Sequence, residues 1–309
     1  MSRLHLVRLP GAAALLAETR DVLARDLADE ARHSLLLGAA LARADAAPLA
    51  EAPDGYFAVV REGAAGAGAG AIRVVAYQEP PFPLLLVAPG KEPDPAVGPA
   101  FELVAGDLAA AGRVPEAIHL AAALAPAFAA GFASAWAAVA GREARLAMRQ
   151  RLHALAAVAP VAEPAGRMRR AERGDLPLVV EWAIGFGREV EGEAEPERVR
   201  RQVERRVGAG EVWLWEEAAR PRAMAATARR TGRTVTVNAV YTPPAERGRG
   251  WATGLVAALS RRELAAGAGR CVLFTDLANP TSNAIYARIG YRPIGDFLLY
   301  RLEAPAAPS

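Results

Sequence analysis

Cysteine is almost missing from this chain of 309 residues. Cys271 stands alone, which excludes an internal disulfide and a paired-cysteine metal site. Histidine is scarce too: His5, His33, His119 and His153 are scattered without ligand spacing, so no metal is expected. Lysine occurs once, at Lys91; arginine supplies the rest of the basic side, and with the abundance of alanine this reads as codon bias. Net charge is only +3 with both signs interspersed, so no basic tract recruits nucleic acid or a membrane surface. Near the N-terminus the apolar stretch "GAAALLA" is short and ends at Glu18, unlike a signal peptide. The uncharged run Leu120 to Gly141 is mostly alanine and is interrupted by Pro126, Gly131 and Ser134, unlike a membrane span. Its large residues Leu124, Phe128, Phe132 and Trp136 recur every four positions, as one apolar stripe of a helix on a core does. The expectation is a soluble, cytoplasmic monomer or homodimer with neither nucleic acid nor membrane as partner.

What is present is enough apolar residue, 52%, for two domains in a chain of this length. A Pro/Ala-rich stretch at residues 156–166 reads as a linker. It divides the chain into domains at 1–155 and 167–309. The halves share a rhythm. Each opens with a short strand, "LHLVRL" or "RMRRAE", followed by a helix pair. Three adjacent strands come next: "YFAVVRE", "AIRVVAYQ" and "PLLLVAP" in the first half, "EVWLWEE", "RAMAATARR" and "RTVTVNAVY" in the second. The short breaks between them are hairpin turns of an antiparallel meander. A helix follows, Pro95 to Ala111 or Gly250 to Ala266. Two copies of one α/β (α+β) plan are expected, each a mixed, mostly antiparallel sheet flanked by helices.

The copies differ after the third of these strands. The first half continues "PGKEPDPAVGP", where Pro89, Pro93, Pro95 and Pro99 offer no backbone N–H, a poor cradle for an anion. The second continues into "AERGRGWATG", Ala245 to Gly254, at the head of a helix. Gly248 and Gly250 let an anion reach the backbone, Arg247 and Arg249 add charge, and the helix N-terminus offers unpaired amides and the positive end of its dipole. A pyrophosphate fits such a loop. Gly248, Gly250 and Gly254 also spell GxGxxxG, with Asp276 ending the next strand. The architecture speaks against a dinucleotide fold, because six residues separate the strand from the glycines and too little chain follows for its remaining units; an ordinary glycine-rich turn is the other alternative.

The stretch "RGRGWA", Arg247 to Ala252, follows the pattern Arg/Gln-x-x-Gly-x-Gly/Ala, and here the sequence resembles the GNAT superfamily of acyl-CoA N-acyltransferases. A second block, "LFTDLANPTSNAIYARIGYRPIGDF" from Leu273 to Phe297, resembles the later part of the same fold: a strand, a short helix, then "GY" opening a closing strand pair. The likeness covers about Arg167 to Leu302; the first half resembles a degenerate copy in layout alone, without a CoA site. The resemblance implies acetyl-CoA as co-substrate. Its pantetheine arm would lie between two splayed strands, paired with the main chain at Ala239, Val240 and Tyr241. Its pyrophosphate would rest on Gly248, Arg249, Gly250, Trp251 and Ala252, with Thr253 following. Asn279 reads as an N-cap before Pro280, as a pantetheine contact, or both. Asn283 and Tyr286 share a face of the same helix. In the family a tyrosine matching Tyr286 protonates the leaving thiolate; the alternative is a packed ring with a satisfied hydroxyl.

The strand "TVTVNAVY" carries no acid to deprotonate an amine; Asn238 and two threonines are its polar residues. The acid-rich stretch holding Glu181, Glu189, Glu191, Glu193 and Glu195 is either an acidic rim for a cationic acceptor or a solvated loop. Trp182 and Phe186 read as core before pocket lining, and Trp213, Trp215 and Cys271 as packing. The function expected is transfer of acetyl from acetyl-CoA to a small-molecule or peptide amine by direct attack. The alternative is a CoA-binding sensor or interaction module without turnover.

Overall fold

The computed structural model describes residues 3–45, 55–63, 70–90, 94–190 and 195–304. The chain forms two compact units. The first takes Met1–Leu152, Asp276–Ala278 and Ile294–Ser309; the second takes His153–Thr275 and Asn279–Pro293.

In the first unit the order is β1 (Leu4–Arg8), α1 (Ala12–Leu23), α2 (Leu27–Arg32), α3 (Ser34–Ala44), β2 (Tyr56–Glu62), β3 (Ala71–Gln78), β4 (Leu84–Val87), α4 (Val97–Ala110), β5 (Ala117–Ala121), α5 (Ala125–Phe128), α6 (Ser134–Ala140) and β6 (Glu143–Leu155), whose last residues enter the second unit. β1 to β4 pair antiparallel in sequence, and β5 runs parallel to β4. Alternate strand residues face opposite layers, as the two-residue period requires. Tyr56, Ala58, Val60, Val74, Ala76, Leu84 and Leu86 pack with α4 and Phe128, Phe132 and Trp136. Val59, Val75, Tyr77 and Leu85 pack with Leu15, Leu16, Leu23, Leu36 and Leu37 on the other face. The alanine-rich run is helical over Ala122–Ala140, long and apolar enough to cross a membrane by length and composition. Its expected stripe holds, since Phe128, Phe132 and Trp136 are fully buried in the first core. A π-turn at Ala129–Ala133 interrupts it, and a Cβ on Gly131 would lie 2.1 Å from the Gly98 carbonyl, so glycine is what lets this helix meet α4.

The second unit repeats the plan with β7 (Arg167–Arg170), α7 (Leu176–Val190), α8 (Pro196–Gly208), β8 (Val212–Glu217), β9 (Arg220–Thr231), β10 (Thr234–Tyr241), α9 (Trp251–Ala265), β11 (Arg270–Asp276) and α10 (Pro280–Ile289). β7 to β10 pair antiparallel, and β11 runs parallel to β10. Val212, Leu214, Met224 and Ala226 pack with Val179, Val180, Trp182, Val199 and Val203 of α7 and α8. Trp213, Trp215, Ala223, Ala225 and Val237 pack with Trp251, Leu255 and Leu259 of α9.

The domain division differs from the linear one in two places. The stretch 156–166 is packed onto the second unit: Ala159 N–H donates to Ile289 O at 2.8 Å, and the Trp215 indole donates to Ala165 O at 3.1 Å. A Cβ on Gly254 would meet Pro164 at 2.7 Å, so this glycine is needed for seating that segment on α9. Second, the expected closing strand pair is one strand, β12 (Arg292–Glu303), and most of it belongs to the first unit. Phe297–Arg301 pairs antiparallel with β5, with Phe297 opposite Ala121 and Arg301 opposite Ala117.

Candidate active site

β10 and β11 pair only at their starts, Thr234 with Arg270, Val235 with Cys271 and Thr236 with Val272. Beyond them, Val237–Tyr241 has no partner on β11, and the expected parting of the strands is present. A bulge accompanies it. The register of β10 against β9 shifts between Asn238 and Tyr241, and Ala239 takes φ +49°, a left-handed conformation uncommon outside glycine. Main-chain groups of Ala239 and Val240 thereby leave the ladder beside the gap. Tyr241 is buried, with its ring centroid 6.5 Å from that of Trp182, and its hydroxyl fits because α7 has Gly185 there, where a Cβ would lie 2.7 Å away. Trp182 is core, as its four-residue spacing with Phe186 implied.

After Tyr241 the chain crosses a short 3₁₀ turn and reaches the glycine loop. Gly248 and Gly250 have φ +80° and +81°, and a Cβ on either would meet no atom within 4 Å. Both glycines are therefore required by conformation, and among the described residues nothing fills the space above them. Gly250 caps α9 without a side-chain hydrogen bond; its carbonyl receives the Gly254 N–H at 3.0 Å. The amides ahead of Gly254, on Trp251, Ala252 and Thr253, are the first-turn donors that a helix cannot satisfy internally. The Trp251 and Thr253 side chains are buried, so these residues offer an anion their amides alone. Trp251 packs on Trp213, Trp215 and Leu255 and anchors the loop from beneath.

The charged residues are less free than their sequence suggests. Arg247 donates to Glu189 Oε1 at 2.6 Å and to Thr242 O at 2.9 Å, and it lies 5.8 Å from the Tyr241 ring centroid. Arg249 pairs with Glu246 at 3.5 Å. Glu189 is thus tied to the loop rather than presented as an unpaired acidic rim. Glu191 and Glu193 lie outside the described residues. Asn238 is occupied as well: its Oδ1 accepts from Arg206 at 2.8 Å, and the Arg206 guanidinium also donates to Thr227 O at 3.0 Å. Arg206 is buried, which lowers its pKa.

On α10, Asn279 is the N-cap and accepts from Ser282 N–H at 3.0 Å. Asn283 Nδ2 donates to Asn279 O at 2.9 Å, while its Oδ1 accepts from Thr275 Oγ1 at 2.7 Å; Thr275 in turn lies 3.2 Å from His153 Nε2. This polar chain fixes α10 on β11 and uses the Asn283 side chain internally. His153 and Thr275 escaped the sequence reading, since nothing local links residues so far apart. One turn on, the Tyr286 ring is buried among Val256, Leu273, Ile289 and Tyr291, edge-on to Tyr291 at 5.9 Å. Among the described residues its hydroxyl has no hydrogen-bond partner, yet it is not one of the sealed polar atoms. Burial raises its pKa well above the ordinary phenol value, so it stays protonated through the neutral range. Cys271 is fully buried, its thiol pushed up to about 12 by burial, and packs as expected.

Residues 176–291 match the family model described as the acetyltransferase (GNAT) family, and the chain carries a GNAT domain over that span. Solved structures share the fold along the whole length. A GCN5-related N-acetyltransferase from Sphaerobacter thermophilus is 15% identical with a TM-score of 0.63, covering 99% of this chain and 97% of its own. A GNAT-family acetyltransferase from Colwellia psychrerythraea is 10% identical with a TM-score of 0.59, covering 97% and 99%. A tandem GNAT protein from the clavulanic acid biosynthesis pathway is 16% identical with a TM-score of 0.57, covering 99% and 100%. No curated protein matches the chain. The mixed sheets flanked by helices are GNAT folds.

Proposed function

We propose that the second unit is an N-acetyltransferase that moves acetyl from acetyl-CoA to an amine by direct attack, and that the first unit has no CoA site. The observation that carries this reading is the gap between β10 and β11, opening beside a glycine loop with nothing in front of it among the described residues. Acetyl-CoA would supply the acetyl thioester. The amides of Gly248 to Ala252 would hold its pyrophosphate, helped by the dipole of α9. Arg247 and Arg249 sit in half-exposed ion pairs, the kind worth about 0–1 kcal/mol, so a phosphate competes for either at small cost. Main-chain groups of Ala239 to Tyr241 would pair with the pantetheine amides.

In the reaction the amine nitrogen bonds to the thioester carbonyl carbon and the C–S bond breaks. Tyr286 Oη gives its proton to the departing sulfur, and the proton on the amine nitrogen passes to water. A phenol is protonated at neutral pH and so available as charge develops on sulfur; burial, by raising its pKa, makes it a weaker donor in the free protein, so its use depends on the thiolate that forms beside it. β10 supplies no carboxylate, and Glu189 and Asn238 are engaged by Arg247 and Arg206. A binding module without turnover therefore remains the second reading. Incubating the intact protein with acetyl-CoA and a library of small amines and peptides, and following free thiol, separates the two. Amine-dependent thiol release supports transfer; saturable acetyl-CoA binding without release leaves the module.

A further inference from the structure

The C-terminal end of α9 borders a second recess. Counting 1.5 Å per residue from Gly250 to Arg262 puts it about 18 Å along the helix from the glycine loop. Its volume is about 260 Å³, below the usual range for drug-sized ligands and suited to a small molecule. Arg170, Arg229, Arg230 and Arg262 line it, against two acids, Glu211 and Glu263. Both acids are committed: Glu211 pairs with the buried Arg206 at 3.4 Å, and Glu263 is shared by Arg230 and Arg262. Among the described residues Arg170 has no carboxylate partner. Its guanidinium carbon lies 5.1 Å from the Trp213 ring centroid, and that of Arg262 lies 4.5 Å from the same indole. Trp213 is buried, and among the described residues its indole N–H has no hydrogen-bond partner. Two further features shape the recess. Gly210 has φ +67°, and a Cβ there would press on the Arg170 guanidinium at 3.3 Å. Arg229 holds φ +42°, strain that a non-glycine residue carries only where its surroundings impose it.

We propose that this recess binds a small doubly charged oxyanion of the phosphate-monoester type, at a site separate from the glycine loop. Guanidinium forks match phosphate oxygens two at a time, and among the described residues the Arg170 guanidinium, held at the recess without a carboxylate partner, leaves positive charge for a ligand to neutralise.

The test titrates the intact protein with inorganic phosphate and phenyl phosphate at constant ionic strength, following tryptophan fluorescence and Tm. Saturable binding with a rise in Tm is expected for both. Arg170 is exposed, so Arg170→Gln leaves the core intact and should weaken binding about tenfold or more, as loss of a charge-assisted contact does. Gly250→Asn, which obstructs the glycine loop, should leave phosphate binding unchanged. Absence of saturation, or binding that Arg170→Gln does not weaken, overturns the proposal. Loss of phosphate binding in Gly250→Asn overturns it too, because the anion would then sit on the loop.

Discussion

The two units share a strand plan and part company at one junction. In the first, β4 is four residues long and three of them pair with β5, so the strands stay joined almost to their ends. In the second, β10 is eight residues long and only its first three pair with β11. Proline confines β4 between Pro83 and Pro89, whereas β10 runs on through a bulge at Ala239. The parting of the strands in the second unit goes with a longer strand and one left-handed residue.

The hardest blow to that contrast would come from Tyr286. Tyr286→Phe keeps the ring in its packing and removes the proton. Turnover should fall by about 10²–10⁴-fold with acetyl-CoA affinity little changed, the loss lying in kcat. An unaltered kcat, with chemistry rate-limiting, would reduce Tyr286 to packing. Next in size are changes at Gly250. Gly250→Asn tolerates the left-handed backbone but fills the open side of the loop. It should weaken acetyl-CoA binding about tenfold or more, and Gly250→Val, which also strains the backbone, should weaken it further. Calorimetry on wild-type protein should give one acetyl-CoA per chain; two would erase the distinction between the units.

Amide exchange sharpens the comparison without mutation. Leu85 and Leu86 should exchange slowly, Ala239 and Val240 quickly, and only the latter pair should slow when acetyl-CoA is added. Equal protection in the free protein would mean the gap closes in solution. The smallest effect concerns the frame of the second unit, where Arg169 holds the Asp175 carboxyl below its usual pKa through contacts at 2.7 and 2.9 Å. A depressed carboxylate stabilises fully above its unfolded pKa and loses that contribution as pH falls through the folded one. Asp175→Asn should cost about 0.5–1 kcal/mol at neutral pH, the pair being largely solvent-screened, and the gap from wild type should close below about pH 4 in denaturant titrations. A constant gap down to pH 2 would assign the loss to packing.

Much of the frame was legible because its signals are local. The strands at Tyr56–Glu62 and Ala71–Gln78 fall where their apolar runs put them, Arg270–Asp276 is the strand the resemblance implied, and Asn279 caps the helix that its position before Pro280 announced. β5 escaped because "AIHLA" merges into the alanine-rich run that follows. β6 escaped because much of its first half, Glu143–Arg149, is charged and exposed, leaving no apolar face to read. The glycine loop was readable since glycine reports backbone conformation directly. The partners of Arg247 and Asn238 were not: Glu189 and Arg206 are 58 and 32 residues away, and an ion pair leaves no periodic trace.

The placement of β12 has a consequence for synthesis. The strand that covers the edge of β5 is encoded after the whole second unit. At about 5–20 residues per second, a ribosome that has just finished β5 needs on the order of ten seconds or more to make it. During that time the first sheet carries an unclosed edge of the kind that invites pairing with other chains. The N-terminal unit is the first to be made and the last to be completed.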